Sequence, residues 1–463
     1  MTPRTRRYLL ILGLLALAGL LVLSRWLFHN RFPNFFDREQ VDAGEIEKLK
    51  NENLNRTQAA EEEGWPQFRG TNRDGWSPGT NFRTDWETNP PKVLWTKPCG
   101  AGYSSFAVAA DGRLYTMDRA DGAERVRCLD AATGDEEWAI KREADYSKLT
   151  TGYAGGPRAT PTIAGDWLYT VGATGELCAF DVSRQRNGAQ FAWRHDLLGE
   201  YDAPTPTWGV ACSPLVEGNL VILQPGGKRG SVVAFDRITG EPRWTCGTDP
   251  SGYSSPVAAT LGGVRQIVAV TGKSVLGIRG ETGELLWKHP WETQHHGNIA
   301  MPVVVGDYVF VSSNYGKGCA LIRIAGDGAA QTAKVVYFRP NKLMRNHHST
   351  CVHKDGFLFG FDNAELRCVN LREGTAVEDW PPDDVRNRLG KGSVTLVGDK
   401  LLCLSERGSL MLTNSDPANF RLLGRLDKVL TGSECWASPA VFDGKIYLRD
   451  ATNIVCLVAS IPK

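Results

Sequence analysis

The chain has 463 residues, with 53 Lys and Arg against 52 Asp and Glu, a formal net charge of +1. So even a balance sets up no field for nucleic acid or for a strongly acidic partner. Its 50 glycines and 14 tryptophans point to many tight turns, with one large aromatic at a fixed place in a repeated unit.

The first predicted element is a membrane span. Arg4, Arg6 and Arg7 precede an uncharged, mostly apolar run from Tyr8 to Ser24, followed by Arg25-Trp26-Leu27-Phe28. Arg25 can snorkel and Trp26 can sit at the interface, so 8–28 is expected to be a single transmembrane helix or signal anchor. Residues 1–7 then stay in the cytoplasm and the remainder faces the periplasm or cell exterior. A cleaved signal peptide is the alternative, with Ala16-Leu17-Ala18 as its cleavage-like site, but the apolar run continues past it. Residues 29–64 are polar, end in Glu61-Glu62-Glu63 and Gly64, and read as a tether.

From residue 65 to 463 the texture is β. A residue ahead of a Pro-like position recurs at Ser105, Thr160, Ser213, Ser255, Met301, Thr350, Ser393 and Ser438, at spacings of 42 to 55 residues. Such a period means a repeat architecture. Each unit reads as three alternating strands, then a hairpin of the form Asp-x-x-Thr-Gly-x-x-x-Trp, as in Asp130 to Trp138 and Asp236 to Trp244. Eight four-stranded units predict an all-β, eight-bladed β-propeller. One such unit cannot bury both faces, so Trp95, Trp138, Trp193, Trp244, Trp287 and Trp380 are expected to cover the gaps between neighbouring blades.

Trp95 precedes the first unit, and the last unit ends without the Thr-Gly turn or tryptophan. The segment Val93-Leu94-Trp95 is therefore expected to supply the outer strand of the eighth blade and close the ring. Units five and seven lack the hairpin motif, which leaves seven blades as the alternative count. The eleven cysteines include no adjacent pair and no Cys-x-x-Cys; Cys128, Cys178, Cys368 and Cys456 fall at one point of successive units. They read as small buried hydrophobes.

The hairpin with its Ser-Pro strand start, and the opening "WPQFRGTNRDGWS" at 65–77 with "GYSS" at 102–105, resemble the PQQ-type (quinoprotein-like) propeller repeat. The resemblance covers roughly residues 65–463 and is similar to the BamB-type propellers of outer-membrane assembly. It implies the fold firmly and function only loosely. What it implies is a non-catalytic binding or scaffolding propeller of the cell envelope, monomeric, anchored in the inner membrane, with envelope or membrane proteins as partners and no nucleic acid. Quinoprotein dehydrogenases of this fold imply a quinone stacked between a tryptophan and a disulfide of adjacent cysteines, with calcium held by Glu, Asn and Asp. The chain has no such cysteine pair and no cytochrome attachment motif, so neither PQQ nor catalytic residues are expected. A PQQ-dependent oxidoreductase is the alternative, and a sensor binding a small ligand in the central funnel is the second.

In a propeller the turns entering the inner strands crowd one end of the channel. Tyr103, Arg158, Tyr253, His348, Lys391 and Trp436, two residues ahead of their anchors, are expected there, with Asn346, His347 and Glu434 close by. Aromatic rings with two cations suit a polar or anionic group. Alternatively these side chains fill the axis and pair among themselves, Glu434 neutralising Lys391. The histidine pairs His295-His296 and His347-His348 lack carboxylate or cysteine spacing, so no metal is expected. "GGKRG" at 226–230 lacks the strand-to-helix setting of a phosphate loop and reads as a hairpin tip.

Overall fold

The computed structural model describes residues 64–150, 155–183, 188–326, 328, 330–386 and 389–460. The expected span 8–28 and the tether up to residue 63 lie outside the described residues. Among the described residues no helix is long and apolar enough to cross a membrane.

The Asp-x-x-Thr-Gly hairpin forms for local reasons. The Asp130 carboxylate accepts hydrogen bonds from the Ala132 and Thr133 amides, and Asp236 does the same for Ile238 and Thr239. This Asx turn replaces backbone partners inside the loop. Gly134 and Gly240 then take φ of 71° and 76°, where a side chain is disfavoured. Asn370 plays the aspartate's part in the sixth unit, accepting from Arg372 and Glu373.

Eight antiparallel sheets result, each of four strands stepping outward from the channel. Blades 1 to 7 span 107–143, 162–196, 215–246, 257–290, 303–340, 352–376 and 393–426. Blade 8 takes three strands from 440–458 and its outer strand from Lys92–Pro98, where Val93 meets Leu457. The expected closure is found, and the count is eight.

In seven blades a register shift falls directly beside the aromatic position of the outer strand, for example between Cys128 and Leu129 opposite Trp138. A bulge re-aims a side chain, and here it turns the ring toward the next blade. Trp95, Trp193 and Trp244 donate their indole N–H to the carbonyls of Ala131, Arg237 and Gly280, the second residue of the next blade's hairpin turn. Trp380 reaches the Asp416 carbonyl of blade 7 at 2.8 Å. The rings press on the turn glycines: a Cβ on Gly134 would meet Trp95 at 2.6 Å, and one on Gly283 would meet Trp244 at 2.7 Å. Trp138 and Trp287 pack between blades 1 and 2 and between blades 4 and 5, but Trp287 gives its N–H to Gln266 of its own blade.

The two units without the motif solve the same problem differently. In blade 5 Tyr337 takes the aromatic position, its ring 2.7 Å from a Cβ built on Gly374 of blade 6. Blade 7 has Gly424 at that position, and Trp86 from the loop ahead of the first blade fills the vacancy between blades 7 and 8. Cys178, Cys368 and Cys456 are fully buried between sheets. Burial pushes their thiols up to about 12, so they stay protonated.

The anchors stitch the inner strands together. The amide of Ser105 donates to the Thr160 hydroxyl, that of Thr160 to Ser213, and that of Ser213 to Ser255, at 2.9 to 3.0 Å. Met301 donates likewise to Thr350, and the Ser105 hydroxyl donates to the Ser438 carbonyl across the closure. Thr160, Ser213, Ser255 and Thr350 carry a small hydroxyl because each accepts an amide from the preceding anchor in a crowded channel.

One end of the channel is stopped by residues 64–83, hereafter the cork. Gly64–Trp65 adds a fifth strand to blade 1, and Trp76–Ser77 adds one to blade 7 in parallel. Between them the Pro66 carbonyl accepts from Ile163 of blade 2, and Phe68 packs on the cluster of blades 4 and 5. Arg73 donates to the Ser213 and Pro214 carbonyls of blade 3, and Arg69 to those of Thr350 and Cys351 of blade 6. Finally Arg83 donates to Ala459 behind blade 8. The cork thus touches every blade. Both arginines are 3% exposed, and burial lowers Arg73 to about 10, so it stays charged at neutral pH.

Candidate functional site

The cork pairs with the later residues of the inner strands, so the turns ahead of the anchors form the opposite, uncorked mouth. These turns bring the predicted side chains together. The Tyr103 hydroxyl donates to Glu434 at 2.7 Å, and its ring lies 5.2 Å from that of Trp436. Trp436 stacks on His348 at 3.9 Å, and His348 stacks on His347 at 4.0 Å. His347 meets the edge of Tyr315 at 5.1 Å. From there Tyr315 faces Trp208, and Trp208 packs on Tyr253 at 5.2 Å. Arg158 lies 5.5 Å from the Tyr103 ring centre and within electrostatic reach of Tyr253. The aromatic belt is therefore continuous, with one cation completing it.

The charges at this mouth do not cancel in pairs. Among the described residues neither Arg158 nor Lys391 forms an ion pair; Arg158 donates to the Gly156 carbonyl. Burial depresses the Arg158 guanidinium, while Tyr103, Tyr146 and Tyr253 partly offset this. Glu434 holds Tyr103 rather than Lys391, and Glu406 accepts from the Trp436 indole and the Lys391 amide. Burial, then the Lys391 charge, lowers His347 to about 4. Burial, then His347 and Lys391, takes His348 to about 2. Both imidazoles are neutral at pH 7.

Asn346 lies below this surface. It is 1% exposed, accepts from Ser312 and donates to the Phe361 carbonyl, so its amide fastens blade 5 to blade 6. Asn298 is similarly spent on Thr271, Trp291, Thr293 and Ser313. Trp208, Tyr315 and Glu406 escaped the sequence reading. Trp208 stands five residues ahead of its anchor Ser213, outside the two-residue spacing. Tyr315 and Glu406 lie in second-to-third strand turns, which crowd the same end of the channel but carry no repeat signature.

These residues do not match the set implied for a quinone. The Trp436 ring is already stacked on a histidine, and Cys435 beside it is buried without a neighbouring cysteine. Among the described residues no group of three His, Cys, Asp or Glu side chains is placed to hold a metal ion.

Comparison with known proteins agrees with the repeat. A family model described as outer membrane protein assembly factor BamB matches residues 123–378. The outer membrane protein assembly factor BamB of Burkholderia pseudomallei is 26% identical over 202 residues, covering 42% of this chain and 45% of that protein. Its counterpart in Kangiella koreensis is 25% identical over 213 residues, 46% and 49% of the two chains. The chain thus spans about half the length of the curated relatives it matches. A quinohemoprotein alcohol dehydrogenase from Comamonas testosteroni shares the fold, with a TM-score of 0.60 at 12% identity over 91% of this chain and 84% of that one. With the blade repeat, the ring closure and the family match in agreement, the chain belongs to the PQQ-like β-propeller family of outer membrane protein assembly factor BamB.

Proposed function

We propose that the protein is a non-catalytic binding or scaffolding propeller of the cell envelope, held at the inner membrane by residues 8–28, whose partner docks at the aromatic mouth. The observation that carries this reading is the continuous belt from Tyr103 to Tyr253 with Arg158 and Lys391 beside it, neither of them ion-paired among the described residues. Partly buried aromatics and arginine are the side chains that anchor interfaces. The charge left over favours an acidic or carboxylate-bearing group on the partner. The rigid ring of anchors holds the belt in place at little entropic cost on binding.

A pull-down from solubilised membranes tests this, comparing the native chain with the Arg158→Ala/Lys391→Ala double variant. The partner is expected to be retained by the native chain and lost by the variant. If the variant kept every partner, the mouth would not be the docking site. Dye reduction on adding alcohols or sugars, after incubation with PQQ and calcium, would overturn the non-catalytic reading.

A further inference from the structure

The rings at the mouth are spent largely on one another. His348 is sandwiched between Trp436 at 3.9 Å and His347 at 4.0 Å, both nearly parallel to it, and Trp436 also packs on Tyr103 at 5.2 Å. Rings already in stacking contact leave no slot between them for a planar guest. The carboxylates are engaged as well. Glu406 accepts from the Trp436 indole and the Lys391 amide, and Glu434 accepts from the Tyr103 hydroxyl.

Arg158 is placed differently. Its guanidinium lies over the Tyr103 ring, 5.5 Å from the centre, and spends one N–H on the Gly156 carbonyl. Among the described residues no carboxylate forms an ion pair with it. Tyr103 stands between it and Glu434, with the guanidinium on its ring and the carboxylate on its hydroxyl. The mouth therefore offers a half-buried cation on an aromatic floor, with most of its donors unspent. A guanidinium fork matches two oxygens of one carboxylate or phosphate group. The cork stops the other end of the channel, so a ligand reaches and leaves this fork through the mouth alone.

We infer that Arg158 seats the carboxylate or phosphate group of a small free anion, and that this anion competes with the docked partner. The inference rests on the mouth being the docking site and adds a regulation to it. Screening by salt weakens exposed charge pairs according to ionic strength alone. Release through a bidentate seat depends instead on the shape of the anion and on the fork that holds it. Lys391 adds attraction at the same mouth, and the absence of an open ring slot selects a compact anion over an aromatic one.

Isothermal titration of the full-length protein in detergent with sodium phosphate and with disodium succinate, over a sodium chloride background, tests the seat. Saturable binding of at least one is expected, with Kd on the order of 1 mM. Arg158→Lys keeps the charge but removes the fork, and should weaken binding about tenfold. Arg265→Ala removes an exposed arginine paired with Glu217 on the corked side, and should leave binding unchanged. In the membrane pull-down, the anion that binds should release the partner where sodium chloride of equal ionic strength retains it. No saturable binding, or undiminished binding by Arg158→Lys, would overturn the inference, as would a partner retained under saturating anion. A partner kept by the Arg158→Ala/Lys391→Ala variant would instead remove the docking reading on which the competition rests.

Discussion

His347 and His348 show how much one buried ring depends on its surroundings. Desolvation between Trp436 and Tyr315, with Lys391 nearby, keeps both neutral. Unfolded, each would titrate near its ordinary value of about 6.5. Between that value and the folded value of about 4 for His347, the unfolded chain binds more protons, so stability falls as pH falls. The full contribution is present above pH about 6.5 and is lost progressively on acidification. Chemical denaturation from pH 7 to 4.5 is expected to show this loss, on the order of 1 kcal/mol per pH unit for the stacked pair. In His347→Gln/His348→Gln the slope over that window should flatten. The turn glycines make the second residue-scale case. Gly283→Ala places a methyl against Trp244 at a φ of 77°; thermal unfolding should show a loss of about 2 kcal/mol or more, since the left-handed backbone alone costs about 1–2.

At the scale of elements, the outer strand and the following hairpin form one fastening device. The bulge aims the aromatic, the Asx turn presents a carbonyl and a glycine, and the two meet across the blade gap. Where the period was regular this was legible from the sequence: Trp95, Trp193 and Trp244 and the strand closing blade 8 follow from spacing alone. Tyr337 and Trp86 were not legible, because a substituted ring and a ring borrowed from a distant loop leave no periodic trace. The site divides in the same way. Anchor spacing brought Tyr103, Arg158, Tyr253, His348 and Trp436 to the mouth, while Asn346, expected close by, is spent below it on Ser312 and Phe361. Trp86→Ala tests the borrowed ring: denaturant unfolding should lose about 3–5 kcal/mol, as for other buried aromatics, although no residue of blade 7 or blade 8 is mutated.

For the whole molecule the cork is the feature that composition and period did not reveal, since it occurs once and its contacts are remote in sequence. Removing its arginines takes a donor from four main-chain carbonyls, of which Pro214 alone keeps a strong one, the Thr162 hydroxyl. The double variant Arg69→Met/Arg73→Met should therefore unfold at markedly lower temperature, by several kcal/mol, because each orphaned buried acceptor costs about 1–3 kcal/mol. Hydrogen exchange should quicken in the inner strands of blades 3 and 6 before the other blades, which would distinguish a cut brace from general loosening.

The outer strand of blade 8 carries one further consequence, in time and not in space. Lys92–Pro98 leaves the ribosome before blades 1 to 7, with Val93 and Leu94 still about half exposed even in the folded ring. Its partner Asn453–Val458 is made only after blades 1 to 7. At about 5–20 residues per second of synthesis, an apolar, hydrogen-bonding edge waits on the order of half a minute for its mate. During that interval the newborn chain is an open fan, and its waiting outer strand is the part in greatest need of a chaperone.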